Sequence, residues 1–214
     1  MANHITTFRL ALLLPVILVG YYAPPLWQLV NAPLLIVIFV LDAVDGWVAR
    51  VRHEESLFGA IYDIAADRVV ENVLWIVSAH LQLVPVWVAL VFITRGILVD
   101  AVRSVGASQG KTPFSLTLTR IGHELVGGRT MRIVYAAIKA AAFAWIFLLQ
   151  PLPALYPGWW AEWGSQLQRV TDVLIYSAVF LCLARGLPVL LEFGLKEEGK
   201  LLSPRPRRRR TGRL

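Results

Sequence analysis

One cysteine, Cys182, stands in a chain of 214 residues, so no internal disulfide can form and cysteine usage says nothing of the compartment. Charge is scarce as well. Only 16% of residues are Asp, Glu, Lys or Arg, against about 25% in an ordinary soluble domain. The four histidines, His4, His53, His80 and His123, are scattered without ligand spacing, which excludes a zinc site. No ten-residue stretches alternate in polarity, which excludes a membrane β-barrel. The first apolar run lacks a basic n-region and an A-x-A end, so it does not read as a cleaved signal. No internal repeat is found.

What remains is apolar. The chain is 57% hydrophobic with a mean hydropathy of +0.62, and runs of about 20 apolar residues recur, each long enough to cross a hydrocarbon core. The expected fold is all-α and polytopic, with six transmembrane helices and a short N-terminal juxtamembrane segment. The spans are expected near Phe8 to Leu29, Pro33 to Val51, Leu57 to Ala79, Val84 to Val105, Thr130 to Leu149 and Val170 to Phe193. Residues 1–195 form the membrane domain, and 196–214 a basic tail expected to be disordered. With the N-terminus inside, the inner segments carry Arg9, Arg50, Arg52, Arg103, Lys111, Arg120, Arg129, Arg132 and the tail, while the outer loops carry Arg169 alone. The excess of basic residues sets both termini on the cytoplasmic face, and a prokaryotic cell membrane is the expected location. The Trp- and Pro-rich stretch PLPALYPGWWAEWGSQLQ reads as an outer surface loop. The tail suits anionic lipid rather than nucleic acid.

Against this background the stretch LDAVDGWVARVRHEESLFGAIYDIAADRVVEN holds Asp42, Asp45, Asp63, Asp67 and Glu71, five of the chain's 14 acids. A mid-helix acid costs about 2.5–3.5 kcal/mol on the translocon scale, so five argue for a use. Asp42 and Asp45 are three apart and share a helix face; Gly59, Asp63, Asp67 and Glu71 step by four along one stripe. The short loop between the two spans makes them antiparallel neighbours, and their acids a four-carboxylate cage. Hard oxygen ligands at that density suit Mg²⁺, Mn²⁺ or Ca²⁺. Gly46, Ala49 and Gly59 leave room for a ligand against the backbone, and Arg50 at the membrane edge can neutralise a phosphate. Glu71 reads as a partner for Arg68 or Arg95. Lys111, Arg120, Arg129, Arg132, Lys139 and Arg185 form a basic set suited to a phosphate, with Arg132, Tyr135 and Lys139 on one helix face.

These residues carry a resemblance. Asp42, Asp45, Gly46, Ala49, Arg50, Gly59, Asp63 and Asp67 meet the pattern Asp-x2-Asp-Gly-x2-Ala-Arg-x8-Gly-x3-Asp-x3-Asp, which resembles the signature of the CDP-alcohol phosphatidyltransferases. The opening NHITTFRL is similar to that family's Asn-x-x-Thr-x-x-Arg, and ITRGILVDAVR with the following GKT resembles its phosphatidylglycerophosphate synthase branch, although this chain has Arg95-Gly96 where that branch has Arg-Glu. The resemblance implies a six-helix enzyme that moves a phosphatidyl group from CDP-diacylglycerol to the hydroxyl of a small alcohol and releases CMP. It implies Asp42, Asp45, Asp63 and Asp67 as ligands of Mg²⁺ or Mn²⁺, with two ions, and Asp67 as base. Asn3, Thr6, Arg9, Gly46, Ala49, Arg50 and Gly59 would line the CDP-lipid site. The basic set Lys111, Arg129, Arg132, Lys139 and Arg185 favours a phosphorylated acceptor, glycerol 3-phosphate before an inositol phosphate. Membrane lipids are the remaining partners, and small residues on the third and fourth spans suit homodimer packing. The competing reading is a cation- or proton-coupled transporter using the acidic stripe. The lack of a polar path through the outer halves of the spans counts against it.

Overall fold

The computed structural model describes residues 2–51, 56–108 and 128–202, and these residues contain helices and no strand. Six long helices carry the fold: α1 (Ala2–Tyr22), α3 (Asn31–Val51), α4 (Leu57–His80), α5 (Val86–Ser108), α6 (Arg129–Leu149) and α8 (Pro157–Leu202). Two single-turn helices, α2 (Pro25–Gln28) and α7 (Leu152–Leu155), lie between them. Ser56 caps α4 as its sequence position suggests, its Oγ accepting the Gly59 amide at 2.9 Å.

The long helices close into a ring. α1 packs on α3 and α4, α4 on α5, α5 on α8, α8 on α6, and α6 on α3. α3 and α4, though consecutive, are therefore not principal packing partners. The N-terminal helix α1 packs on both of them, and α3 and α4 meet through their acidic side chains. Inside the ring Trp75 is fully buried. It stacks on Phe92 of α5 at 4.3 Å between ring centroids and tilts against Phe143 of α6 at 4.4 Å. Val16, Leu35, Ile38, Phe147 and Cys182 complete this core. Leu14, Leu18, Ile36, Val37, Ile97 and Phe180 point outward and are exposed, as the lipid-facing surface of a membrane bundle requires.

Among the described residues four stretches are long and apolar enough to cross a membrane, Asn3–Tyr22, Pro25–Gly46, Thr130–Leu155 and Pro157–Leu191. α4 and α5 have 24 and 23 residues, enough to span, and are set apart by the charges they carry at Asp63, Asp67, Arg68, Glu71, Arg95, Asp100 and Arg103. The chain is an integral membrane protein.

Three boundaries differ from the sequence expectation. The juxtamembrane segment is the first turns of α1 itself, which begins at Ala2 and runs through Pro15. The expected outer loop is mostly helix: α8 starts at Pro157 and continues for 46 residues. Proline fits a first helical position because the amide it lacks has no partner there, so a stretch rich in Pro and Trp reads as loop yet starts a helix. At its other end α8 is helical to Leu202, inside the segment expected to be disordered.

Candidate active site

Helical spacing brings carboxylates from two helices together. One oxygen each from Asp42 of α3 and from Asp63 and Asp67 of α4 lie within 4.8 Å of one another. Asp45, one turn on from Asp42, is not in this trio. It is 3% exposed, and its Oδ2 accepts a hydrogen bond from Thr6 Oγ1 of α1 at 3.0 Å. The four motif aspartates thus divide into an open trio and a buried fourth tied to α1.

α1 supplies more than Thr6. Asn3, Thr6 and Arg9 are spaced by three and share the face turned toward the acids. Arg9 is 2% exposed and reaches all three members of the trio. Its Nη1 pairs with Asp42 Oδ1, and its Nη2 lies 2.8 Å from Asp67 Oδ1 and 3.4 Å from Asp63 Oδ1. Asn3 Oδ1 comes so close to Gly59 that a Cβ there would stand 2.9 Å from it. The missing side chain at 59 therefore admits α1 against α4. Three close carboxylates repel one another, and hard oxygen donors from two rigid helices fit a divalent cation such as Mg²⁺, Mn²⁺ or Ca²⁺. The trio is an acidic cluster able to bind a metal.

A second polar cluster sits deeper, across α4, α5, α6 and α8. Arg68 grips Asp100 with two parallel hydrogen bonds, 2.5 Å from Nε and 3.0 Å from Nη2, and its Nη1 reaches Glu71 Oε2 at 3.1 Å. The other oxygen of Glu71 takes Lys139 Nζ at 2.8 Å. Glu71 thus pairs with Arg68, as its spacing suggests, and with Lys139, which sequence reasoning assigned to a phosphate; Arg95 is not its partner. Lys139 Nζ and Arg185 Cζ both lie over the Tyr135 ring, at 4.5 and 5.2 Å from its centroid. Arg185 Nη1 donates to the Met131 carbonyl at 3.0 Å.

Arg95, which the sequence offered only as a partner for Glu71, takes another place. It is 9% exposed, its Nε has no hydrogen-bond partner among the described residues, and no carboxylate among them lies in ion-pair range of it. It lies flat on α8 over Gly186, where a Cβ would stand 2.5 Å from its Nε and 2.7 Å from its Cγ. A buried cation needs compensation, while Glu71 and Asp100 are engaged by Arg68 and Lys139. Arg103 and Arg132 add positive charge within electrostatic range of Arg185. The signal available in the sequence was Arg95 itself, a charge in the middle of an apolar helix.

Of the basic set, the structure brings Lys139 and Arg185 to one aromatic ring, while Arg132 is exposed on α6. Lys111 and Arg120 lie outside the described residues, as do the side chains of Ala49, Arg50 and Arg129. Gly46 follows Asp45 on α3.

Comparison with known proteins decides the class. The model of the CDP-alcohol phosphatidyltransferase family matches residues 1–184. The chain belongs to the CDP-alcohol phosphatidyltransferase family. Among similar proteins, the CDP-diacylglycerol–glycerol-3-phosphate 3-phosphatidyltransferase of Escherichia coli (strain K12) is 33% identical over 194 residues, covering 88% of this chain and 95% of the relative. The protein of the same name from Pseudomonas fluorescens is 33% identical over 198 residues, covering 91% and 94%. That of Bacillus subtilis (strain 168) is 30% identical over 132 residues, covering 56% and 68%. The chain is a phosphatidyltransferase of phospholipid synthesis, and this membership sets the transporter reading aside.

Proposed function

We propose that the protein transfers the phosphatidyl group of CDP-diacylglycerol to glycerol 3-phosphate and releases CMP. The observation that carries the chemistry is the convergence of Asp42, Asp63 and Asp67 from two helices on one point. The acceptor is supported by the names of the relatives and by the buried cationic cluster around Arg95 and Arg185.

Asp42, Asp45, Asp63 and Asp67 would hold Mg²⁺ or Mn²⁺, as a pair of ions. Bound there, divalent ions supply Lewis-acid neutralisation of the donor diphosphate and of the charge that builds in the transition state. Thr6 fixes Asp45 through Oδ2, so that carboxylate keeps its orientation. Asp67 has a half-exposed side chain at the edge of the trio, and takes the proton of the acceptor hydroxyl. The acceptor oxygen forms its bond to the phosphorus that carries the lipid, the anhydride bond of the diphosphate breaks, and its electron pair leaves with CMP. Asn3, Thr6, Arg9, Gly46, Ala49, Arg50 and Gly59 line the donor side. On the acceptor side Arg95 and Arg185 would hold the phosphate, and Lys111, Arg129 and Arg132 stay candidates for the same anion from their place in the sequence. Lys139, already paired with Glu71, orients the Tyr135 ring beneath them. The asymmetry of basic residues supports an active site and termini on the cytoplasmic face.

The test is CMP release from CDP-diacylglycerol by the purified chain with glycerol 3-phosphate. Release that stops with a chelator and returns with Mg²⁺ or Mn²⁺ is the expected result. Release that continues unchanged in excess chelator contradicts it.

A further inference from the structure

Lining the donor side does not account for one feature of Arg9: its buried guanidinium is inserted among the carboxylates that would hold the metal. Arg9 comes from α1, a different helix from any of the trio, and is among the most completely buried side chains of the molecule at 2% exposure. Its two terminal nitrogens divide between α3 and α4, one on Asp42 and the other on Asp63 and Asp67. No other described basic side chain makes an ion pair with these three acids. The oxygens it touches on Asp42, Asp63 and Asp67 belong to the carboxylates of the metal-suited trio. A divalent ion drawing them in needs the lone pairs that the guanidinium now occupies, and it brings a like charge against that guanidinium.

We propose that Arg9 is a built-in counter-ion of the acidic cage that competes with the divalent cation for Asp42, Asp63 and Asp67. Without a cation the guanidinium holds α3 and α4 together through their acids. Cation loading requires Arg9 to release some of those contacts, which frees a guanidinium at the face of α1 where the donor diphosphate is proposed to lie. Thr6, one turn earlier, keeps α1 in register during this exchange through Asp45. Arg9 is a positioning residue in this account, tuning how tightly the cage takes metal.

The inference rests on the metal reading given above, and the experiment separates the two. Full-length protein in detergent is stripped with chelator. Mn²⁺ binding is then measured by electron paramagnetic resonance, with thermal unfolding followed in chelator and in Mn²⁺. Wild type, Arg9→Gln and Arg9→Lys are compared. Arg9→Gln is expected to bind Mn²⁺ about tenfold more tightly, a change of about 1.4 kcal/mol. It should also unfold at lower temperature than wild type in chelator, because three carboxylates then repel with nothing between them. Arg9→Lys keeps the charge but cannot fork between two helices, and its affinity is expected to fall between the two. Because it retains charge and stem, it also serves as the test if Arg9→Gln does not fold. Mn²⁺ affinity in Arg9→Gln equal to or weaker than wild type overturns the counter-ion role. Affinity in Arg9→Lys equal to wild type overturns the direct contest, leaving only charge at a distance. Wild type that takes up no Mn²⁺ would instead sink the metal reading itself.

Discussion

Lys139 Nζ lies 2.8 Å from Glu71 Oε1, and this one contact joins α6 to α4. Glu71 is the last acid of the stretch and stands outside the family motif. Its second oxygen holds Arg68, which in turn grips Asp100 of α5. Glu71→Gln leaves Lys139 without its carboxylate in a largely desolvated place. Breaking a buried pair costs about 3–5 kcal/mol; the partial exposure of these partners lowers the expectation to roughly 2 kcal/mol. Thermal unfolding in detergent should fall by about 4–8 °C, with residual transferase activity. An unchanged midpoint would mean that the node does not stabilise the bundle.

The acidic trio should behave as a unit. Asp42→Asn, Asp63→Asn and Asp67→Asn each remove one hard ligand or the base, and each should lower kcat for CMP release by about 10³-fold or more. In combination the losses should be far less than multiplicative, because one intact site is destroyed only once. Full additivity of the double substitutions would show that the three do not share a site.

Thr6 offers a gentler lesion. Thr6→Val keeps the shape but removes the hydroxyl that donates to Asp45. Leaving a buried acceptor short of a partner costs about 1–3 kcal/mol. CMP release should drop about tenfold or more and Thr6→Ser should restore most of it. Equal activity in all three proteins would remove Thr6 from the site.

Gly186 tests the acceptor side without touching a charge. A methyl group at 186 would stand 2.5 Å from Arg95 Nε and 2.7 Å from its Cγ, and Cγ is not the flexible end of that side chain. Gly186→Ala should push Arg95 off α8 and weaken one charge-assisted hydrogen bond to phosphate. The KM for glycerol 3-phosphate should rise about tenfold, with the KM for CDP-diacylglycerol unchanged. A rise in both, or in the donor's alone, would place Arg95 elsewhere.

The meeting of acids from two helices was legible because helical spacing is rigid. Steps of three and four residues fix which acids share a face, and Asp42, Asp63 and Asp67 do converge. The partner of those acids was not legible. A short loop says nothing of a third helix, yet α1 packs on both α3 and α4 and delivers Arg9 into the trio. Nothing in the period of an apolar run states which helix it will lie beside. Arg95 escaped for a related reason, since its role depends on the absence of a side chain at Gly186, some ninety positions away. Glu71 with Arg68 was readable because both lie on one helix, whereas Glu71 with Lys139 required the ring to close. The start of α8 was misread because Pro and Trp report a preference for interfaces and turns, while proline at a first helical position costs nothing.

The central claim is tested most directly by an acceptor panel. Purified chain with CDP-diacylglycerol and Mg²⁺ is given glycerol 3-phosphate, inositol 1-phosphate, inositol, serine or choline, CMP release is followed, and Asp67→Asn is run alongside. The account predicts CMP release with glycerol 3-phosphate alone, a lipid product carrying a second phosphate by mass spectrometry, and no release from the variant. Release with serine, choline or inositol in place of glycerol 3-phosphate would contradict it.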